Sequence, residues 1–459
     1  MKLKQTSLII STAIITGLAN NGFSQGTGEV LKLSIEQAQQ YALENNRNVQ
    51  SARIDVNLMA KQVKEAVAIG LPQFNLAGNY QHQFTVPEFS FGAFLDPNAL
   101  PPGPVTKQDI LDAYKESPTV PLGVKNNTTF DFTVSQLIFS GEYFVGLQAA
   151  RVVREMTEKS LIKTEDMTSE TVANSYYMVL VLGESVKVLE ESLRAIDKTY
   201  EESVKMNEQG FNEETDVDQI KISKSNLERL ITSINAQRDV SLKLLKFQLG
   251  MDFSQDIELT DSIPGLIRAA NLQYITPPVY NVTQSIDYKI LNDQVDVSAL
   301  QLKRAKSAWF PTLSGFYRHQ EQTNQPEFNF IVKDIAGITL NFPIFTSGQR
   351  TARISQAKFN LDKSTLSRAD AEEGLRLDYE TALTSFQTAY GNFKTNSESS
   401  VLSKKIYEKS IIKFKEGVST SFELSQNQSQ YLTAESNYYN SVLTLLNAKA
   451  KLDRILSTY

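Results

Sequence analysis

The chain lacks cysteine entirely and has only two histidines and one tryptophan among its 459 residues. The lack of cysteine excludes a disulfide framework, a thiolate zinc site, a cysteine nucleophile and a lipidated N-terminal cysteine. Two histidines are too few for a multi-histidine metal centre, so we expect no metal and no cofactor. The sequence has no phosphate-binding loop, nucleophile elbow or paired-histidine motif, and we do not expect an enzyme.

A strong charge imbalance and long hydrophobic runs are also missing. The chain has 46 Lys and Arg against 52 Asp and Glu, and this mild acidity disfavours nucleic acid as the main partner. Lys2 and Lys4, followed by an apolar run over 8–18, predict a secretory signal over residues 1–24, cleaved before Gln25. That run is too short to span a bilayer, and no 18-residue apolar run follows it. We therefore expect an exported chain that can enter a membrane only as β structure.

The same pattern occurs twice along the chain. Gly210 and Gln219 in the first half recur as Gly417 and Gln426 in the second half, and the pairs share an offset of 207 residues without a gap. A constant offset over more than a hundred residues indicates an internal duplication. We predict two structural repeats, one over 25–250 and one over 251–459.

Each repeat is predicted to contain two strands and two long helices. Alternating apolar and polar residues predict strands near 74–84, 128–138, 312–322 and 336–345. Proline-free stretches predict helices over 142–209, 213–249, 349–416 and 420–457. Coiled-coil packing is predicted from apolar residues at steps of seven, namely Leu424, Tyr431, Tyr438, Leu445 and Leu452, matched by Ile220, Leu227 and Ile234 with Leu230 and Leu244 beside them.

A further helix is predicted before the first strand of each repeat. Ser34 and Gln37 form a capping-box pattern, which predicts a helix from Ser34 to about Ile69. Its counterpart in the second repeat covers roughly 282–308. Each helix is expected to stop before a proline, Pro72 or Pro311. The predicted fold class is therefore mainly α, with two strand pairs and long coiled-coil helices.

The four strands raise the question of what covers their apolar face. Each is about ten residues long, which suits a tilted strand in a membrane. Four strands cannot close a membrane barrel, because the smallest barrels use about eight, and an open edge in lipid leaves backbone groups unpaired. Several chains would then have to share one barrel, and three chains would supply twelve strands. A soluble β-sandwich with helical arms is compatible with the same pattern.

The order and duplication of these motifs resemble the TolC-like family of outer-membrane efflux proteins. The resemblance covers essentially the whole mature chain. It is carried by residues 33–38, 43–46, Leu71-Pro72, Phe310-Pro311, 343–348, 210–219 and 417–426. It implies a homotrimer in the outer membrane, with a twelve-stranded barrel and an α-helical tunnel that crosses the periplasm. It also implies a passive exit duct, whose partners are outer-membrane lipid, a periplasmic adaptor and an inner-membrane transporter.

Four residues are candidates for the channel mouth. Asp216 and Glu423 follow the helix breaks, where threefold symmetry would turn each into a ring of carboxylates that sets ion selectivity or holds a gate. Three positions further on, where the family usually has aspartate, this sequence has Gln219 in the first repeat and Gln426 in the second. The ring would therefore contain fewer carboxylates. Stabilisation of the helix dipole by an acid in the first turn explains Asp216 and Glu423 equally well.

The two helix breaks are candidates for adaptor contact. Gly210 and Gly417 are expected to let the chain turn, since glycine adopts left-handed dihedral angles at little cost. The apolar Phe211 and Val418 follow them at otherwise polar turns, and by resemblance these tips meet the adaptor.

Three other features of the sequence each allow two interpretations. The loop over 86–126 holds seven of the fourteen prolines, and it is either an extracellular cap or an unstructured insertion. His82 and His319 occupy matching strand positions, and duplication explains them better than a metal site does. Trp309 belongs either to an interfacial aromatic belt or to an ordinary packed cluster.

The leading hypothesis is an outer-membrane channel of a tripartite efflux or secretion system. The alternative is a periplasmic coiled-coil adaptor or scaffold, for which one helical hairpin between two lipoyl-like halves would be expected. Two hairpins and two strand pairs favour the channel. The sequence contains no catalytic cluster that would support an exported hydrolase.

Overall fold

A computed structural model describes residues 30–90, 103–104, 106–116, 119–269, 279–325, 329 and 331–457. The secretory signal predicted over 1–24 lies outside these residues. The described elements of the first half are β1 (Leu31–Leu33), α1 (Ile35–Asn45), α2 (Arg47–Ala68), β2 (Gln73–His82), β3 (Glu88–Ser90), α3 (Lys107–Glu116), β4 (Thr119–Pro121), β5 (Asn126–Phe139), α4 (Gly141–Glu208) and α5 (Glu214–Leu249).

The second half repeats the long elements of the first. Its described elements are β6 (Ile257–Leu259), α6 (Ile263–Ala269), a 3₁₀ turn (Val282–Gln284), α7 (Ile286–Ser307), β7 (Thr312–Gln322), β8 (Asp334–Asn341), α8 (Gln349–Lys415) and α9 (Ser421–Leu456). The fold is therefore mainly helical, as the sequence predicts.

Two helical hairpins, α4–α5 and α8–α9, make up most of the molecule. The 68 residues of α4 and the 67 of α8 each span about 100 Å at 1.5 Å per residue. The seven-residue stripe of α9 is buried at Leu424, Tyr431, Leu445 and Leu452, with Tyr438 partly buried. These side chains pack against the neighbouring helices, so the hairpins are held together by the apolar seam that the sequence predicts.

The helix predicted from Ser34 to about Ile69 is two helices in the structure. Asn46 separates α1 from α2 because its side chain accepts hydrogen bonds from the Asn48 and Val49 amides and caps the second helix. Its Nδ2 also donates to the carbonyl of Gln248, at 2.6 Å. Gly250, at φ 75°, ends α5 beside Asn45, where a Cβ atom would lie 2.3 Å from the Asn45 carbonyl oxygen. The break therefore joins the end of α5 to the start of α2.

The four main strands form one antiparallel sheet in the order β2-β5-β7-β8. Leu76 pairs with Phe132, Phe132 with His319, and His319 with Asp334. Paired residues point to the same face, so the register defines two faces. One face is largely apolar and exposed, with Phe74, Leu76, Tyr80, Phe130, Phe132, Tyr317, Ile338 and Leu340. The other is mostly polar, with Asn75, Asn79, Asp131, Thr133, Arg318 and Gln320.

A two-stranded parallel sheet, β1 with β6, lies beside the long helices and was not predicted. Asp261 follows β6 and accepts hydrogen bonds from the Ile35 amide at 2.7 Å and the Tyr176 hydroxyl at 2.8 Å. Burial, more than any other cause, raises the pKa of Tyr176. This network fixes the start of α1 against α4.

The loop over 86–126 is described in part. Strands β3 and β4 pair antiparallel within it, and α3 lies between them in sequence. Residues 91–102 lie outside the described part of the chain. Among the helices that the structure describes, none combines the length and the apolar character needed to cross a membrane.

Candidate functional site

The two hairpin turns have the same backbone geometry. Gly210 and Gly417 have φ angles of 75° and 68°, and a Cβ atom on either would meet nothing within 4 Å. The left-handed backbone, not crowding, therefore requires glycine. The amide of Phe211 donates to Met206 and that of Val418 to Lys413, each at 2.9 Å, which completes a Schellman motif at both helix ends.

The residue after each glycine projects into solvent. Phe211 and Val418 are each 75% exposed, and Phe422 beyond the second turn is 69% exposed. Apolar side chains this exposed at an otherwise polar turn form a contact surface more readily than a core. The structure therefore places the four predicted tip residues, Gly210, Phe211, Gly417 and Val418, at the ends of the two hairpins.

Asp216 lies in the first turn of α5 and faces the second hairpin. One carboxylate oxygen accepts a hydrogen bond from the Ser421 hydroxyl at 2.5 Å, and the other accepts from the Glu213 amide at 3.4 Å. Asp216 is half-buried. Its carboxylate thus stabilises the start of α5 and links α5 to α9.

Glu423 occupies the matching position in α9 but is exposed. Its amide donates to the Thr420 hydroxyl at 3.2 Å, and its carboxylate accepts from the Ser419 hydroxyl at 2.8 Å. Both contacts belong to the cap of α9. The carboxylate otherwise faces solvent.

Gln219 and Gln426 are placed differently from each other. Gln219 lines a cleft of about 460 Å³ between α5 and α9, whose other lining residues include Ser223, Leu227, Ser425 and Gln428. Gln426 is exposed on α9. The structure does not bring the two glutamines together.

Three polar contacts join the two hairpins near their turns. Besides Ser421 to Asp216, the hydroxyls of Ser223 and Ser425 lie 3.0 Å apart, and Lys415 pairs with Glu202 at 2.8 Å. Apart from Asp216, these residues were not predicted from the sequence. The serines are not repeated at the offset of 207 residues, and serine is common on helix surfaces, so no sequence signal marks them.

The core above the turns is built from apolar and aromatic side chains. The rings of Tyr407 and Tyr431 stack with centroids 5.4 Å apart, and burial raises the pKa of Tyr407 to about 12. Leu227 and Leu424 pack in the same cluster. Beside this cluster Lys224 donates to Asp197, and this hydrogen bond raises the pKa of the lysine.

His82 and His319 lie in equivalent surroundings at the far end of the sheet. His82 Nδ1 lies 2.7 Å from Asn126 Oδ1, which also accepts from Tyr80, and His319 Nδ1 lies 2.8 Å from Asp334 Oδ1, which also accepts from Tyr317. Within the described residues, no group of three or more His, Cys, Asp or Glu is arranged to hold a metal ion.

The fold is that of bacterial outer-membrane channels. The crystal structure of the CmeC outer membrane channel of Campylobacter jejuni superposes with a TM-score of 0.71 at 15% identity, covering 92% of this chain and 85% of that one. VceC of Vibrio cholerae gives 0.68 at 15% identity, with 92% and 96% covered. The open state of the MtrE channel of Neisseria gonorrhoeae gives 0.69 at 14% identity, with 92% and 88% covered.

A family comparison points the same way. The model of the outer membrane efflux protein family matches residues 293–458. No curated protein matches the chain. The resemblance to the outer-membrane efflux family is therefore confirmed. The two comparisons agree, since one matches outer membrane efflux proteins and the other matches outer membrane channels.

Proposed function

We propose that this chain is the subunit of an exit duct in the outer membrane, which passively conducts substrates out of a tripartite efflux or secretion system. The observation that carries the proposal is the four-stranded sheet, which exposes an apolar face while its opposite face is polar. This is the arrangement that a barrel wall needs when lipid lies outside and water inside.

The sheet needs partners because both of its edges are open. Strands β2 and β8 each pair on one side only within the described chain. Unpaired backbone groups in lipid cost several kcal/mol each, so the edges must be paired before the sheet can lie in a membrane. Three copies joined edge to edge supply twelve strands and leave no edge open.

The helical hairpins then form the wall of a tunnel below the barrel. Their length of about 100 Å suits a path through the periplasm. In this assembly we infer that the turns form the periplasmic mouth, with Glu423 and Asp216 as carboxylate rings and Gln219 and Gln426 beside them. The exposed Phe211 and Val418, next to Gly210 and Gly417, are the contact points for a periplasmic adaptor. An inner-membrane transporter supplies the energy.

The proposal is tested by fractionating cells that express the full chain and running the native protein on a gel with and without heating. We expect an outer-membrane species of three times the mass of the mature chain, which dissociates to single chains on heating. A soluble periplasmic monomer would overturn the proposal. In planar bilayers the trimer is expected to give stepwise ion conductance without any energy source.

A further inference from the structure

Basic residues are concentrated where the helices meet the sheet. The twelve residues of each helix nearest the sheet, over 57–68, 141–152, 296–307 and 349–360, contain nine Lys or Arg and three Asp or Glu. The chain as a whole has the opposite sign, −6. The zone directly below the strands, about 18 Å high, therefore carries a net positive charge, and we name it the basic collar.

The collar lies under a band of exposed apolar side chains. Ile344 and Phe345, in the connection from β8 to α8, are 82% and 83% exposed. Trp309 and Phe310 are exposed at the end of α7, and Phe139 and Phe144 at the junction of β5 with α4. Aromatic side chains of this kind mark the boundary between hydrocarbon and headgroups.

The collar can be traced from the apolar face of the sheet downwards. Phe139 pairs with Leu313, on the face that carries Tyr317, and its ring centroid lies 6.0 Å from that of Phe144 in the first turn of α4. Arg151 is seven residues, nearly two turns, further along, on the same side of the helix and about 10 Å lower. The apolar face of the sheet therefore continues into a basic face of α4.

The neighbouring helix adds to the same face. Lys303 on α7 donates from Nζ to the Gln148 side chain at 3.3 Å, and Gln148 is one turn from Phe144 on the same stripe. Lys306 follows one turn later, beside Trp309. In the described chain none of Arg151, Lys303 and Lys306 lies within 4 Å of a carboxylate, and all three are exposed. Their charges are available to an external anion.

Arg350 holds the apolar band in place. Its guanidinium lies 4.0 Å from the Trp309 ring centroid and donates to the Ile344 carbonyl and the Thr346 hydroxyl. A cation over an aromatic ring is favourable, particularly where water is excluded. The single tryptophan of the chain is thus fixed between the apolar band and the collar.

We propose that the basic collar binds the anionic headgroups of phospholipids in the periplasmic leaflet of the outer membrane. The inference rests on the proposed function, which puts the apolar face in lipid. The headgroup layer is about 5–8 Å thick on each side of the hydrocarbon, and lysine and arginine side chains reach upwards into it from the level of Arg151. One basic residue near the membrane surface raises the local concentration of anionic lipid about fivefold.

Trp309 is the built-in reporter for the test. The purified trimer is reconstituted in phosphatidylcholine vesicles that contain a minor fraction of either brominated phosphatidylglycerol or brominated phosphatidylcholine. Bromine quenches tryptophan fluorescence at short range. We expect brominated phosphatidylglycerol to quench Trp309 more strongly than brominated phosphatidylcholine does, to the extent that a local enrichment of the anionic lipid by about fivefold would produce. Rising salt concentration is expected to remove this difference between the two lipids.

Two matched variants assign the effect to the collar. The combination Arg151→Gln, Lys303→Gln and Lys306→Gln is expected to abolish the preference. Lys404→Gln, Lys405→Gln and Lys409→Gln removes the same charge from exposed sites about 70 Å further along α8 and is expected to keep it.

The outcomes separate this inference from the proposed function. Equal quenching by both brominated lipids in the unmodified chain, at low salt, would overturn the collar while leaving the channel intact. A loss of anion conductance in the collar variant with an unchanged lipid preference would also overturn it, because the charges would then face the lumen. No quenching by either lipid would place Trp309 outside the membrane and contradict the channel itself. Should the collar variant fail to assemble, the salt dependence of the unmodified trimer still decides.

Discussion

At the scale of single residues, equivalent positions in the two halves have different environments. Asp216 and Glu423 both lie in the first turn of a returning helix, yet Asp216 bonds to Ser421 of the other hairpin while Glu423 bonds only within its own cap. The difference follows from burial, since Asp216 is half-buried and Glu423 exposed. Glu423 is therefore the better candidate for a residue that acts on passing ions.

This distinction gives a prediction for ion selectivity. Glu423→Gln removes three carboxylates from the proposed mouth while keeping the shape of the side chain. We expect the cation-to-anion permeability ratio of the reconstituted channel to fall roughly twofold, because water and salt screen a ring in a wide opening. The ratio is measured from reversal potentials in a salt gradient.

The matched control is Glu398→Gln, an exposed glutamate on α8 far from the turn. It removes the same charge and is expected to leave the ratio unchanged. If Glu423→Gln behaves like this control, the residue serves only the helix dipole, a contribution of about 0.3–1 kcal/mol to stability.

At the scale of elements, the two hairpins meet through few polar contacts near their turns. The Ser421 hydroxyl and the Asp216 carboxylate form one of three such contacts, with Ser223–Ser425 and Lys415–Glu202 as the others. A network this small can be weakened by one substitution without unfolding the helices above it.

Ser421→Ala is expected to loosen the turns locally. Removing a hydrogen bond to a partly buried carboxylate costs about 1–2 kcal/mol, which corresponds to roughly five- to thirtyfold faster amide exchange if the segment opens as a unit. Hydrogen exchange over residues 413–424 measures this. Ser429→Ala, an exposed serine further along α9, is the control, and equal protection in both variants would show that the contact contributes nothing.

Some of these elements can be predicted from patterns in the sequence, and others cannot. The stripe from Leu424 to Leu452 could be predicted because burial of every seventh residue is a local, periodic property. The break at Asn46 could not, because it depends on the Gln248 carbonyl, about two hundred residues away. The pairing of β1 with β6 and the contact of Ser421 with Asp216 are hidden for the same reason. Leu230 and Leu244 are apolar but exposed. Hydrophobicity alone therefore does not show which helix faces are covered by another helix of the same chain.

At the scale of the whole molecule, the sheet is one part of a larger wall. Its edges β2 and β8 are separated by two strands, about 14 Å, so they cannot bond to each other within one chain. In a ring of identical copies, β8 of one copy meets β2 of the next. Such head-to-tail contacts form a closed ring when the rotations between neighbouring copies add up to a full turn.

The absence of cysteine makes this contact easy to test. Ile338→Cys on β8 is combined in turn with Leu76→Cys, Gly78→Cys and Tyr80→Cys on β2, all on the apolar face. We expect one of these pairs to form disulfide-linked multimers that reach three chains and disappear on reduction. The sulfur atoms must come from different copies, because a disulfide spans less than 7 Å between Cα atoms.

The control uses the same edge and the opposite face. Asn79→Cys with Ile338→Cys places the two side chains on different sides of the sheet, and we expect no link. Two outcomes would contradict pairing of β2 with β8. In the first, only the control pair forms a disulfide. In the second, none of the apolar pairs forms a disulfide although the protein still migrates as a trimer.

The pairing of β5 with β7 has a consequence for the order of folding. Phe132 and His319 are neighbours in the sheet although 187 residues separate them in sequence, and the entire first hairpin lies between them. Contacts between distant residues form slowly because a long loop must close first, whereas α4 and α5 meet through a short turn. A chain that emerges with its N-terminus first therefore builds its first hairpin while β2 and β5 still lack β7. During that interval the apolar strands are exposed to water, and this is the stage at which the protein most needs protection from aggregation.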